Sequence, residues 1–193
     1  MSLDGAFTQN GAGVVSTAGD ITTTGDAINF LTAVTLTDGH AVALSTGAAA
    51  IGDVTFQNTL NGTTDFAENL TLTAGTGSIL FTGIVGGTKD LGDVLINSAL
   101  DVTATAAFNA NTLTQSAGTG DTQFDGAVAL SAVGGMQLTT NTVTINSTIN
   151  TLAGGNGGVV TITNAGLLDI AAGADMSLDG AFTQNGAGVV STA

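Results

Sequence analysis

Short stretches of alternating apolar and polar residues recur along the whole chain. Val34-Thr35-Leu36-Thr37, Leu70-Thr71-Leu72-Thr73, Thr142-Val143-Thr144-Ile145 and Val160-Thr161-Ile162-Thr163 each place aliphatic side chains on one side and threonines on the other. A period of two over about four residues predicts half-buried β-strands. Between them lie Asp38-Gly39, Asn61-Gly62, Gly86-Gly87, Gly134-Gly135 and Gly154-Gly155-Asn156-Gly157. Such residues tolerate the left-handed backbone that sharp corners require.

The strands fall into units. Residues 25–34 (GDAINFLTAV), 52–60 (GDVTFQNTL), 77–85 (GSILFTGIV) and 120–128 (GDTQFDGAV) each lead from Gly-Asp or Gly-Ser to a Phe, with an aliphatic residue four positions later. The pairs are Phe30/Val34, Phe56/Leu60, Phe81/Val85 and Phe124/Val128. A second alternating pair follows 12 to 16 residues after each Phe: Val42/Leu44, Leu70/Leu72, Val94/Ile96 and Met136/Leu138. Successive Phe spacings are 26, 25 and 43 residues, the last wide enough for two shorter units. Anchors recurring in one order point to coils of about 20–26 residues stacked as a parallel β-solenoid. A hairpin-based sandwich is the alternative, because Asn-Gly and Asp-Gly also make hairpin turns.

A longer repeat contains these units. Residues 1–18, MSLDGAFTQNGAGVVSTA, recur unchanged as residues 176–193, a period of 175. A period of that length holds seven to nine coils. Residues 1–193 therefore read as a single solenoid segment, one full period plus the start of the next, with a duplicated tag as the bland alternative. No basic-then-apolar leader follows Met1, but Met1 matches the internal Met176, which removes the weight of that observation. The two copies are expected to adopt one conformation, related by translation along the axis with some rotation.

Composition narrows the class further. The chain has 34 Thr and 29 Gly, no Pro, Cys, Trp or Tyr, and 8% charged residues against about 25% in average proteins. Plentiful β-branched residues exclude disorder, and scarce Lys, Arg and Glu exclude exposed helices, so the chain is all-β. The absence of Pro suits a ladder in which nearly every N–H donates to the next coil. A net charge of −14, with Lys89 the only Lys or Arg, excludes nucleic-acid binding and disfavours anionic membrane surfaces. No apolar run approaches the ~20 residues of a membrane helix, so no membrane insertion is expected. Without Cys there are no disulfides and no thiolate metal sites.

Residues 77–97 (GSILFTGIVGGTKDLGDVLIN) and 120–130 (GDTQFDGAVAL) resemble the long repeat arrays of bacterial filamentous-haemagglutinin-like and autotransporter-like surface proteins, a likeness covering most of residues 19–145. The resemblance implies a right-handed parallel β-helix, export to the cell surface and a role in adhesion or as a stalk. It supplies no catalytic residue.

Candidate chemistry is sparse. His40, the only histidine, sits in the turn Asp38-Gly39-His40 with no second catalytic group nearby in sequence, and reads as a solvated turn residue. Lys89-Asp90 reads as a surface ion pair. Polysaccharide lyases on β-helices need basic side chains that this chain lacks, and Glu68, the only Glu, would need an Asp brought to it by folding to act as a glycosidase. Asp26, Asp53 and Asp121 follow Gly at similar unit positions, so a carboxylate ladder that calcium relieves is conceivable. The nonapeptide calcium repeat is absent, because Gly154-Gly155-Asn156-Gly157-Gly158 lacks its Asp, and solvated turn aspartates are preferred. Thr71/Thr73, Thr103/Thr105 and Thr161/Thr163 resemble ice-binding arrays, although outward Thr is ordinary on a charge-poor strand. Sequons at Asn61, Asn69 and Asn146 are expected by chance in so Thr-rich a chain.

The expectation is a structural extracellular or cell-surface fibre or stalk, not an enzyme, whose main partner is itself through end-to-end stacking. No catalytic, cofactor or metal residue is assigned. A receptor-binding adhesin is the alternative within that class, with a host or surface receptor as partner. An ice-binding or carbohydrate-processing solenoid is the alternative outside it.

Overall fold

A computed structural model describes residues 1–152, 154–155 and 157–192. Among these residues there are 24 strands and no helix, and every strand pairing is parallel. Hairpins, and with them the sandwich, are excluded. The chain winds as a β-solenoid of about eight turns, with three strand positions per turn.

The first face is a nine-stranded sheet running from Phe7–Gln9 to Val190–Thr192. One of its inward columns is Gln9, Phe30, Phe56, Phe81, Ala104, Phe124, Ile145, Ile170 and Thr192. The second face carries Val15, Val34, Leu60, Val85, Phe108, Val128, Ile149 and Met176 in one column. The third carries Val42, Leu70, Val94, Leu113, Met136, Val160 and Phe182. These columns are the anchors read from the sequence, and Phe30, Phe56, Phe81 and Phe124 all point into the core.

Successive partners in the first face are 20 residues apart at the shortest, Val102 to Thr122, and 26 at the longest, Ile28 to Val54. The variation falls in the corners. The strands stay in register because a one-residue slip would turn the aliphatic side chains outward. The 43-residue Phe gap is two coils, as its width allowed. Its missing anchor is Ala104, which occupies the ring's place between Phe81 and Phe124. Phe108, four residues on, sits among aliphatic residues of the second face and turns its edge to Phe81 at 5.6 Å and 80°. A ring supplied from the neighbouring face fills the space that Ala104 leaves.

The corner between second and third faces vanishes in the middle of the rod. Strand Phe108–Gln115 pairs its first half with Val128–Leu130 and its second half with Met136–Thr140. From there the two faces merge into one 12-stranded sheet, while the second-face strands Val15–Thr17, Val34–Leu36 and Leu60–Asn61 stay a separate three-stranded sheet. Elsewhere corners use left-handed residues where expected: Asp38 and Gly39 have φ of 66° and 62°, and Gly86 and Gly135 have 67° and 52°. Asn61-Gly62 is different. Asn61 ends a strand, and Gly62 is needed because a Cβ there would lie 2.5 Å from a Glu68 carboxylate oxygen. Of the fifth corner, at residues 154–157, Asn156 lies outside the described residues, while Gly155 and Gly157 take positive φ.

Candidate functional site

The long corner at residues 61–69 builds the most organised polar group in the rod. Its backbone turns back on itself through Phe66, whose φ of 65° is unusual for an aromatic residue. The turn directs Glu68 inward, where the side chain is almost fully buried. One carboxylate oxygen accepts from Thr63 Oγ1 at 2.5 Å and from Gly39 N at 3.3 Å. The other accepts from the backbone N–H groups of Thr63 at 3.1 Å and Thr64 at 3.2 Å. Burial alone raises the pKa of Glu68, but these hydrogen bonds outweigh it and hold the carboxyl below its ordinary value. Both oxygens are occupied and shielded from solvent. The group serves as a staple that ties this corner to the turn of the coil below.

Around the staple, Lys89 Nζ meets the Asp65 carboxylate at 2.8 Å, and Asp90 N donates to the other Asp65 oxygen at 3.1 Å. The Lys89 bond and the Asp90 N–H lower the Asp65 pKa, and Asp65 raises that of Lys89. Partial burial, then the charge of Asp65, raise that of Asp90. Lys89 thus pairs across coils with Asp65, where its sequence neighbour Asp90 had been the expected partner. Phe66 stands on the same corner, 41% exposed. His40 lies in its exposed turn, as read from the sequence.

The three ladder aspartates do not form one column. Asp26 aligns with Gly52, because Ile28 pairs with Val54. The column that exists runs Asp53, Ser78, Asp101, Asp121 and Thr142. Its carboxylates are used internally: Asp53 accepts Ser78 N at 2.7 Å, Asp101 accepts Asp121 N at 2.8 Å, and Asp121 accepts Thr142 Oγ1 at 2.8 Å. Coil-to-coil hydrogen bonds occupy oxygens that the calcium reading left free. Among the described residues, no three His, Cys, Asp or Glu side chains gather as a metal would need.

The sequon amides join the same scheme. Asn61 and Asn69 accept the backbone N–H groups of Thr88 and Asp93, and Asn146 donates to Asp125. The Thr-x-Thr pairs are scattered. Thr71/Thr73 and Thr161/Thr163 share the third face with three coils between them. Thr103 is on the first face, and Thr105 bonds into a corner at Thr82 O.

The remaining unusual surface is at the ends. Phe182, Val189 and Val190 are 39%, 66% and 49% exposed on the last coil, and Val14 is 75% exposed on the first. The interior partners of Phe182 and Val190, Val160 and Leu168, are fully buried, whereas outward apolar residues such as Val14, Val189, Ile51 and Val133 are exposed wherever they stand. No protein-family model, curated protein or solved structure matches the chain.

Proposed function

We propose that this chain is a segment of a structural extracellular or cell-surface fibre, a stiff stalk built of tandem 175-residue periods that joins end to end. The observation that carries the reading is that residues 1–18 and their exact copy, residues 176–193, are both built into the rod as pairing strands. Each terminal coil presents unpaired strand backbone beside exposed apolar side chains, and both ends have the same 18-residue sequence. An open parallel edge recruits another strand, and solenoids that stand alone blunt it with capping repeats, Pro or Lys. Neither terminal segment contains such a residue. The resemblance of residues 77–97 and 120–130 to bacterial surface arrays supports the location. A threonine-rich exterior with few charged residues, and with the Glu68, Asp53, Asp101 and Asp121 carboxylates hydrogen-bonded within the rod, suits a structural element better than a reaction centre.

Electron microscopy of the intact native protein and sedimentation of the 193-residue chain test the reading. Thin unbranched fibres and concentration-dependent linear association are expected. Val190→Lys, which puts a charge on the open edge, should return the 193-residue chain to monomers. Discrete globular particles in the native material, together with association that ignores Val190→Lys, would refute the proposal.

A further inference from the structure

The identical terminal segments sit on different faces of the coil. In the first copy, Ser2–Leu3 is on the third face, Phe7–Gln9 on the first and Val15–Thr17 on the second. In the second copy, Met176–Ser177 is on the second face, Phe182–Asn185 on the third and Val190–Thr192 on the first. Phe7 pairs with Ile28, whereas its counterpart Phe182 pairs with Val160. The order of three strands is kept, and so is one hydrogen bond across the corner that follows the second. Gln9 Nε2 donates to Gly13 O at 3.2 Å, and Gln184 Nε2 donates to Gly188 O at 3.3 Å. The copies are not identical throughout, since Gly186 takes φ of 89° and Gly11 stays outside the left-handed region. The segment thus fits either setting, because every face asks only for inward apolar alternation.

Following the columns from Phe7 to Phe182 crosses 23 faces, which is seven full coils and two faces more. A 175-residue period is therefore one face short of eight coils. We propose that in the tandem array each period steps back by one face, so that three periods restore the starting orientation. The inference rests on the array reading above. The open edge of the last coil is then occupied by the next period's counterpart of residues 19–45, with its stacked phenylalanines continuing on the third face. The corner carrying Glu68 and Phe66 lies between second and third faces here, and between first and second in the following period. Its copies run up the rod in three rows, about 37 Å apart along the axis, and return to one row after about 110 Å at ~4.8 Å per coil.

Cysteine pairs read the offset directly, in a chain that has no cysteine of its own. Outward residues paired between adjacent parallel strands fall within disulfide reach. Thr161 pairs with Thr183 on the third face, whereas an unshifted second copy would bring Thr183 beside Asp169 on the first. Thr161→Cys/Thr183→Cys and Asp169→Cys/Thr183→Cys would be oxidised in the 193-residue chain and in a chain of two full periods. The pair Thr8→Cys/Asn29→Cys serves as the positive control for a bond between coils. The first pair should lose its free thiols as completely as the control, and the second should keep them. Cross-linking of the second pair in the two-period chain, or of neither while the control closes, overturns the inference. These readings do not depend on whether native material forms fibres, so failure of the array reading is separately visible.

Discussion

Phe30 and Phe56 stack with ring centroids 5.3 Å apart and planes 8° from parallel, although 26 residues separate them in the chain. Phe81 continues the stack at 5.4 Å and 5°. Phe56 thus has a ring above it and a ring below it, inside a core with no solvent contact. Phe56→Ala should cost about 3–5 kcal/mol by chemical denaturation, since it removes burial and leaves a cavity. Phe182→Ala, at the open end, should move the same transition by a small fraction of that. Equal losses would mean that the interior stack is not what stabilises the rod.

Glu68 makes acid stability specific to one corner. Its folded pKa is depressed, so its contribution is fully present above the unfolded value of about 4.3 and is lost as pH falls through the folded value. Urea denaturation at pH 7 should show Glu68→Gln destabilised by about 2–4 kcal/mol, because an amide NH2 then faces backbone donors. The difference from the unmodified protein should shrink below pH 4. A gap that stays constant down to pH 3 would show that the carboxylate charge is not what the corner uses.

Hydrogen bonds from coil to coil join the Asp53–Ser78–Asp101–Asp121 column. Asp101→Ala should cost about 1 kcal/mol by removing the acceptor for Asp121 N. A chelator should leave the thermal transition of the unmodified protein where it was. A drop on chelation that calcium reverses would show that the hydrogen bonds between coils are not sufficient.

Close stacking of corners sets a steric limit. A Cβ at Gly126 would lie 2.1 Å from the carbonyl carbon of Ala106 in the coil below. Both atoms are backbone or fixed to it, so Gly126→Ala should destabilise by about 1–3 kcal/mol. Hydrogen exchange should show the loss centred on strands Val102–Ala104 and Asp121–Phe124. Unchanged protection there would mean that the corner yields more easily than its packing implies.

Residues whose role is set by strand period were legible in the sequence. Val34–Leu36, Leu70–Thr73, Thr142–Ile145 and Val160–Asn164 form strands where alternation predicts them, and the coil length follows from Phe30, Phe56 and Phe81. Residues whose role depends on the length of one particular corner were not. Asp26 looks equivalent to Asp53, yet coil-to-coil pairing sets it against Gly52. Phe108 carries no sequence signal as a core ring because it stands where the other coils carry Val, Leu, Ile or Met. Glu68 gave no signal beyond being the only Glu, since its burial follows from the left-handed turn at Phe66. No local pattern announces that turn. The face offset between the terminal copies is likewise a sum over all the corners and is invisible in any one of them.

Lys89 is the only residue after which trypsin could cut. Its ammonium, which the protease must take into its own pocket, is already held by Asp65. The backbone on either side is pinned as well, with Thr88 N bonded to Asn61 and Asp90 N bonded to Asp65. Cleavage requires a stretch of chain to leave its surroundings and lie extended in the enzyme. Here that means freeing the cation and both N–H groups together. A protease of this specificity therefore finds one scissile bond in these 193 residues, and three contacts oppose its approach.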